Sequence, residues 1–367
     1  MRAVVAGSVI ALGLQMVHGS SGLRAAEPDD SSLLLIESLP KIQSPSVQIE
    51  EPPPRILDVT PIELDRLPEP VHTAETAREG GLYGSVEYLL MRPRQRGLDY
   101  AIEDPTDDLV PEGRIRSLRY DIRSGFRVGL GYRLPSSGLE IGVFYTYLYS
   151  RGTDFTTAAT DGLLYPTLTR PGLTDSATSA QAKARLAYNV YDLEFGRTLK
   201  IDEWMNLRLY TGLRYASIYQ SLSATYQGRL ADAAFAEVRS NFDGGGPIFG
   251  GETSLRLAGG LSVFGKANGG MIFGNLRPSL EETNNGGATI YSDLSARSRQ
   301  IVPFVSLGFG LSWQYRGLTV RAGYETVNWF GLIQRPTLVD DFSEGKTILR
   351  EHDLSLDGLF FQLGCAF

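Results

Sequence analysis

The chain has 367 residues, 42 acidic and 35 basic, for a formal net charge of −7. A single cysteine, Cys365, excludes a disulfide framework. From Glu27 to Glu79 there are twelve Asp/Glu against four Lys/Arg, and from Gly80 onward thirty against twenty-nine, so no segment carries the uncompensated basic charge that nucleic acid demands.

Residues 1–26 open with Arg2, run apolar from Val4 to Val17 and end in small residues around Ser20, Ser21, Ala25 and Ala26, the pattern of a secretory signal peptide. The run is shorter than the ~20 residues of a spanning helix, and cleavage is expected after Ala25 or Ala26. Residues 27–79, with Glu51-Pro52-Pro53-Pro54, lack a sustained period and read as a disordered, acidic linker. This tether could meet a periplasmic partner. Its apolar patch from Leu33 to Ile36 is either a docking motif or a stray cluster.

From residue 80 to 367 the texture is short-period alternation broken by Gly, Pro, Asn and Asp, which is the strand signal. Phe126, Val128, Leu130, Tyr132 and Leu134 alternate with Arg127, Gly129, Gly131 and Arg133; after a short turn the oily face resumes at Leu139, Ile141, Val143, Tyr145, Tyr147 and Tyr149. Ten strands result: Leu82–Met91, Ser124–Leu134, Leu139–Ser150, Ala182–Leu199, Asn206–Gln220, Pro247–Ala258, Leu261–Leu276, Ile301–Tyr315, Leu318–Gly331 and Leu356–Phe367. One or two more could hide in the loops from Arg92 or Ser221, giving twelve.

The connections alternate strictly, long from Arg92, Arg151, Ser221, Arg277 and Leu332, short at Pro135, Lys200, Gly259 and Arg316. Outer-membrane barrels sort their loops this way, with short periplasmic turns and long extracellular loops. The fold class expected is therefore all-β, a transmembrane antiparallel up-and-down barrel. Aromatics toward strand ends, among them Tyr145, Tyr147, Tyr149, Trp313, Tyr315, Tyr324 and Trp329, fit interfacial girdles. The final stripe, Leu359, Phe361, Leu363, Cys365 and Phe367, looks like the signal read by barrel-insertion machinery. Outer-membrane lipid and lipopolysaccharide are the other partners expected.

The motifs YGSVEYLL (Tyr83–Leu90), GFRVGLGYR (Gly125–Arg133), YDLEFG (Tyr191–Gly196), GLRYA (Gly212–Ala216), NFDG (Asn241–Gly244) followed by Gly246-Pro247, and AGYE (Ala322–Glu325) together resemble the Legionella-type pore-forming outer-membrane proteins, including planctomycete-like members. The likeness covers nearly all of Leu82 to Phe367. It implies an outer-membrane barrel, and pore formation.

Alternation turns Arg127, Arg133, Arg208, Arg214, Arg256, Lys266 and Arg321 inward together with Glu140, Asp192, Glu194, Glu252 and Glu325. These residues could line a selective constriction or fill a narrow barrel with ion pairs, since about eight strands enclose only side chains and 16 to 18 a channel. Around Val190 and Tyr191 the apolar parity slips, which a β-bulge would correct; without one, the inward placement of Asp192 and Glu194 should fail.

Chemistry has little support. His18 lies in the signal peptide and His72 in the tether, leaving His352, beside Glu351 and Asp353, as the only base for a barrel hydrolase. The glycine clusters lack a nucleotide-site context, and no Cys/His set has metal spacing. Asp243 and the pair Asp340-Asp341 read first as solvated loop carboxylates, and otherwise as ligands for a divalent cation bridging lipopolysaccharide. The expectation is a non-enzyme without cofactor: a porin-like channel, with a plugged, surface-binding barrel as alternative.

Overall fold

A computed structural model describes residues 80–106, 111–135, 137–343 and 345–367; the expected signal peptide and tether lie outside these residues. The described residues form fourteen strands: β1 (Gly81–Gln95), β2 (Asp99–Asp104), β3 (Arg114–Ser117), β4 (Arg123–Arg133), β5 (Leu139–Thr157), β6 (Leu163–Pro166), β7 (Ser179–Lys200), β8 (Met205–Gly228), β9 (Ala231–Arg256), β10 (Leu261–Asn284), β11 (Thr289–Ser295), β12 (Ser298–Tyr315), β13 (Leu318–Leu338) and β14 (Thr347–Ala366).

Ten of them form an antiparallel ring, β1-β4-β5-β7-β8-β9-β10-β12-β13-β14, closed by the pairing of β14 with β1. They are the ten expected from alternation. Among the described residues neither extra barrel strand exists: the segment after β1 contributes to the separate sheet β3-β2-β6, and β11 pairs there only with β10. The loop expected from Ser221 is not a loop. β8 and β9 continue through it to a tight turn at Arg229-Leu230, where Gly228 and Arg229 take positive φ.

These strands are far longer than a bilayer requires. The 24 residues of β8 and 26 of β9 extend about 80 to 90 Å at ~3.4 Å per residue, whereas the hydrocarbon core is about 30 Å thick. Side-chain distribution divides the barrel accordingly. Toward the short turns the exterior is apolar, as at Leu193, Phe195, Leu209, Leu213, Phe249 and Phe273, and the interior charged. Beyond Tyr191 and Tyr215 the faces exchange character: Lys183, Arg185, Glu237 and Arg239 point outward, while Ala182, Leu186, Tyr188, Ile218, Leu222, Ala236 and Phe242 are buried inside. The first zone is called the belt below, and the second the head.

The exchange explains the parity slip at Val190 and Tyr191. β7 pairs with both neighbours in unbroken register through this point, so no bulge is present, and Asp192 and Glu194 face inward nevertheless. Even-numbered side chains of β7 point inward throughout; what changes is whether the inner face is oily. A row of rings marks the boundary, with Tyr145, Tyr191 and Tyr215 directly opposite one another on β5, β7 and β8. Their centroids are 4.7 and 6.2 Å apart. Trp313 and Tyr315 stack at the opposite border.

The head has the core of a soluble protein. The sheet β3-β2-β6 contributes Tyr100, Ala101 and Leu164 to it, and the Tyr226 hydroxyl donates to the Tyr100 carbonyl at 2.5 Å. Residues 118–122 run along the inner face of β5, the Asp121 amide donating to the Arg151 carbonyl and the Ser150 hydroxyl to the Asp121 carbonyl. Gly152 is required there, since a Cβ would stand 2.2 Å from the Arg119 carbonyl oxygen. Finally, β13 bulges between Trp329 and Ile333, with Gly331 at φ +62°. Beyond the bulge Leu332 to Pro336 are buried on both faces, and Leu338 packs on Val238 and Leu280. The β13–β14 hairpin thus folds inward over the mouth.

Candidate functional site

The belt interior brings together eleven of the twelve lumen candidates and one acid that alternation also marks but the sequence reading omitted, Glu87. Its strand places Leu82, Val86 and Tyr88 outward and Glu87 inward, so the signal was available. Arg256 is the exception: it sits exposed at the short-turn rim, where its guanidinium donates to the Glu203 carbonyl at 3.5 Å rather than to a lumenal acid. Among the described residues the interior therefore holds six bases, Arg127, Arg133, Arg208, Arg214, Lys266 and Arg321, against six acids, Glu87, Glu140, Asp192, Glu194, Glu252 and Glu325.

All twelve are paired. Arg127 bridges Glu87 at 2.6 Å and Glu325 at 2.8 Å, and its Nε donates to Thr146 at 3.0 Å. Lys266 donates to the other oxygen of Glu325. Arg208 binds Glu140 and, at 2.9 Å, Glu194, while Arg133 reaches Glu140 at 3.4 Å. Arg214 holds Asp192 with two bonds of 2.6 and 2.7 Å, and Arg321 holds Glu252 with two of 2.8 and 3.1 Å. Bidentate pairs of this kind fix geometry as well as charge.

Glycine makes several of these contacts possible. Lys266 on β10 lies opposite Gly308 on β12, which lies opposite Glu325 on β13. A Cβ at Gly308 would meet the lysine chain at 2.7 Å, so the missing side chain opens the route to a carboxylate two strands away. Gly196 plays the same part between Glu140 and Arg208, where a Cβ would come within 3.1 Å of the Glu140 carboxylate.

Rings fill the remaining interior. Tyr83 lies against Gly131, Phe144 against Gly129, Tyr210 against Gly250 and Phe360 against Gly323; a Cβ at any of these glycines would fall 2.2 to 2.8 Å from the ring. The guanidinium of Arg214 stacks 4.2 Å from the Phe304 centroid, and Phe304 stacks on Trp329 at 4.9 Å. Trp329, expected in a girdle, is instead wholly buried at the floor of the head, edge-on to Tyr188. Lys266 lies 4.4 Å from the centroid of Phe360, and Arg321 4.9 Å from that of Phe264. These cation–π contacts roof the ion pairs.

The candidates for chemistry separate. His352 pairs with Ile333 in the ladder and abuts Gly97; among the described residues no Ser, Thr or Cys hydrogen-bonds to it. Burial, with Arg335 and Arg350 adding to it, holds its imidazole below the usual pKa. Asp243 faces outward and pairs with Arg277 at 2.7 Å, and Asp340 accepts from the amides of Phe342 and Ser343 in a turn. No group of three or more potential metal ligands occurs among the described residues. Leu359, Phe361 and Leu363 of the closing stripe face outward on β14, Cys365 is a free thiol and Phe367 is exposed.

Residues 81–367 match the family model described as Legionella pneumophila major outer membrane protein precursor. No curated protein sequence matches the chain. Among solved structures, the outer membrane protease OmpT of Escherichia coli is similar with 11% identity, covering 78% of this chain and 97% of its own, at a TM-score of 0.47. Ail of Yersinia pestis is 11% identical over 79% of this chain and 99% of its own, TM-score 0.24. The Pseudomonas putida toluene transporter TodX is 6% identical over 78% and 89%, TM-score 0.26.

Proposed function

Because this chain belongs to the family of the Legionella major outer membrane protein and is an outer-membrane β-barrel, we propose that it is a barrel sealed in its resting form, which anchors a rigid head at the cell surface. The observation that carries this reading is the filled interior: six bases neutralise six acids in the belt, and Phe304, Trp329 and Tyr188 close the space above them. A permeant ion would have to compete with charge pairs already satisfied, and with an apolar plug beyond them. Selective pores instead leave charged or carbonyl groups free to replace an ion's hydration.

The head projects from the long-loop side, which is the extracellular side of such barrels. Its partners on this reading are lipopolysaccharide and ligands at the surface, while the tether of residues 27–79 works in the periplasm. The closing stripe from Leu359 to Phe367 serves the insertion machinery, and no catalytic step is assigned.

The test is single-channel conductance of the refolded protein in planar bilayers, beside a variant carrying Arg127→Ser and Arg214→Ser. The reading predicts a folded, inserted and silent wild type and an equally silent variant, because the plug of Phe304, Trp329 and Tyr188 stays in place above the loosened ion pairs. Ion-selective steps in the wild type would establish the porin-like channel that the sequence resemblance implies and overturn the sealed barrel.

A further inference from the structure

Beyond its bulge, β13 carries Arg335 onto a cavity of about 10 Å³ beneath the folded-over hairpin, walled also by Gln95, Tyr120, Gln220 and Ser240. Such a volume holds one water-sized sphere. Arg335 is 8% exposed and forms no hydrogen bond or ion pair with any described residue; Tyr120 and Asp99 act on it only from a distance. Across the ladder its register partner is another arginine, Arg350, and His352, its imidazole pKa lowered first by burial, is lowered further by the charges of both. Burial draws the guanidinium down to about 10, so it remains charged at neutral pH.

The other walls also present unspent polar groups. Gln220 is buried with neither its amide nitrogen nor its oxygen bonded, and the side-chain oxygen of Gln95 is likewise without a partner. The Ser240 hydroxyl accepts the Gln334 amide N–H at 3.5 Å and keeps its own proton to give. A largely buried cation that no carboxylate bridges among the described residues, and a buried amide with no hydrogen-bond partner there, are each costly alone. Together around one small cavity, they describe a receptor.

We propose that this cavity binds a small monatomic anion of chloride size, held by the Arg335 guanidinium, the Gln220 amide nitrogen and the Ser240 hydroxyl. A water molecule would satisfy Gln220 but leave the guanidinium charge uncompensated, and the small volume favours a monatomic anion over a carboxylate or phosphate. The anion ties β13 to β8 and β9, and so pins the hairpin over the mouth.

Two measurements on the full, refolded chain decide it. Crystals soaked in bromide should give an anomalous peak between Arg335 and Gln220. The unfolding midpoint should rise by about 3 °C per tenfold increase in chloride, replacing gluconate at constant ionic strength, and this dependence should vanish in both Arg335→Met and Gln220→Leu. If Arg335→Met does not fold, Gln220→Leu alone carries the comparison. No bromide at the cavity, no chloride dependence in the wild type, or the same dependence in the variants overturns the proposal. A bromide peak without the shift in midpoint marks binding at crystal concentration only and overturns it equally.

Discussion

Leu193 and Arg185 lie on the same strand and the same outward face of β7, eight residues apart, yet they live in different solvents. Around Leu193 the outside is oily and the inside is charged, as hydrocarbon requires of a barrel wall; around Arg185 the outside is charged and the inside is alanine, leucine and tyrosine, as water requires of a protein core. The backbone does not register the change, since β7 keeps one register with β5 and β8 throughout. A continuous sheet can therefore pass from one solvent to another by exchanging the composition of its faces, with no bulge or break.

The difference can be attacked from either zone. The largest effect is expected where the belt interior meets the floor of the head. Arg214→Ala leaves Asp192 buried beneath Phe304 without its partner and should cost about 3–5 kcal/mol in denaturant unfolding, whereas Arg214→Met combined with Asp192→Leu should be close to neutral. Next comes the belt exterior: Leu193→Arg should cost about 2–4 kcal/mol of insertion into lipid vesicles, while Arg185→Leu on the same face should change stability by about 0.5 kcal/mol or less. Equal costs at the two positions would erase the boundary between belt and head.

Within the head, Glu282 supplies a pH test. It is buried, accepts the Arg170 amide at 2.8 Å on one oxygen and leaves the other unbonded. Burial raises its carboxyl to about 7, with the Arg170 contacts opposing the shift. A raised folded-state value means the folded form holds the proton more tightly. The contribution is thus complete below the ordinary carboxylate range and disappears as pH rises through 7. Melting curves should show stability falling between about pH 4.5 and 7.5, by up to about 3 kcal/mol, and the slope should flatten in Glu282→Gln. The smallest effect belongs to the partly exposed pair of Arg277 and Asp243, where Arg277→Ala should shift unfolding by about 0.5 kcal/mol or less.

The belt was legible in the sequence because its rule is the simplest available, apolar outward and polar inward at period two; this recovered ten strands, their order and eleven inward charges. The head was not, because the same rule with its faces exchanged reads as a slipped parity at Val190 and Tyr191. Where alanine replaces larger residues, as at Ala224, Ala234 and Ala236, it reads as a loop. Nor could alternation say which charges pair. Lys266 reaches Glu325 and Glu140 reaches Arg208 across intervening strands, through gaps that exist only because Gly308 and Gly196 have no side chain. Arg335 escaped for a local reason: it lies beyond the bulge of β13, which resets the inward and outward count.

The central claim, that one register crosses from hydrocarbon to water at Tyr191 and Tyr215, is tested most directly by nitroxide scanning along the outer face of β7. Single cysteines at Lys183, Arg185, Leu193 and Phe195, introduced in a Cys365→Ser background and reconstituted in bilayers, should divide into two pairs. Labels at Leu193 and Phe195 should relax with dissolved oxygen, and those at Lys183 and Arg185 with a water-soluble nickel chelate. Oxygen-dominated relaxation at all four positions would place the head in the membrane and contradict the account.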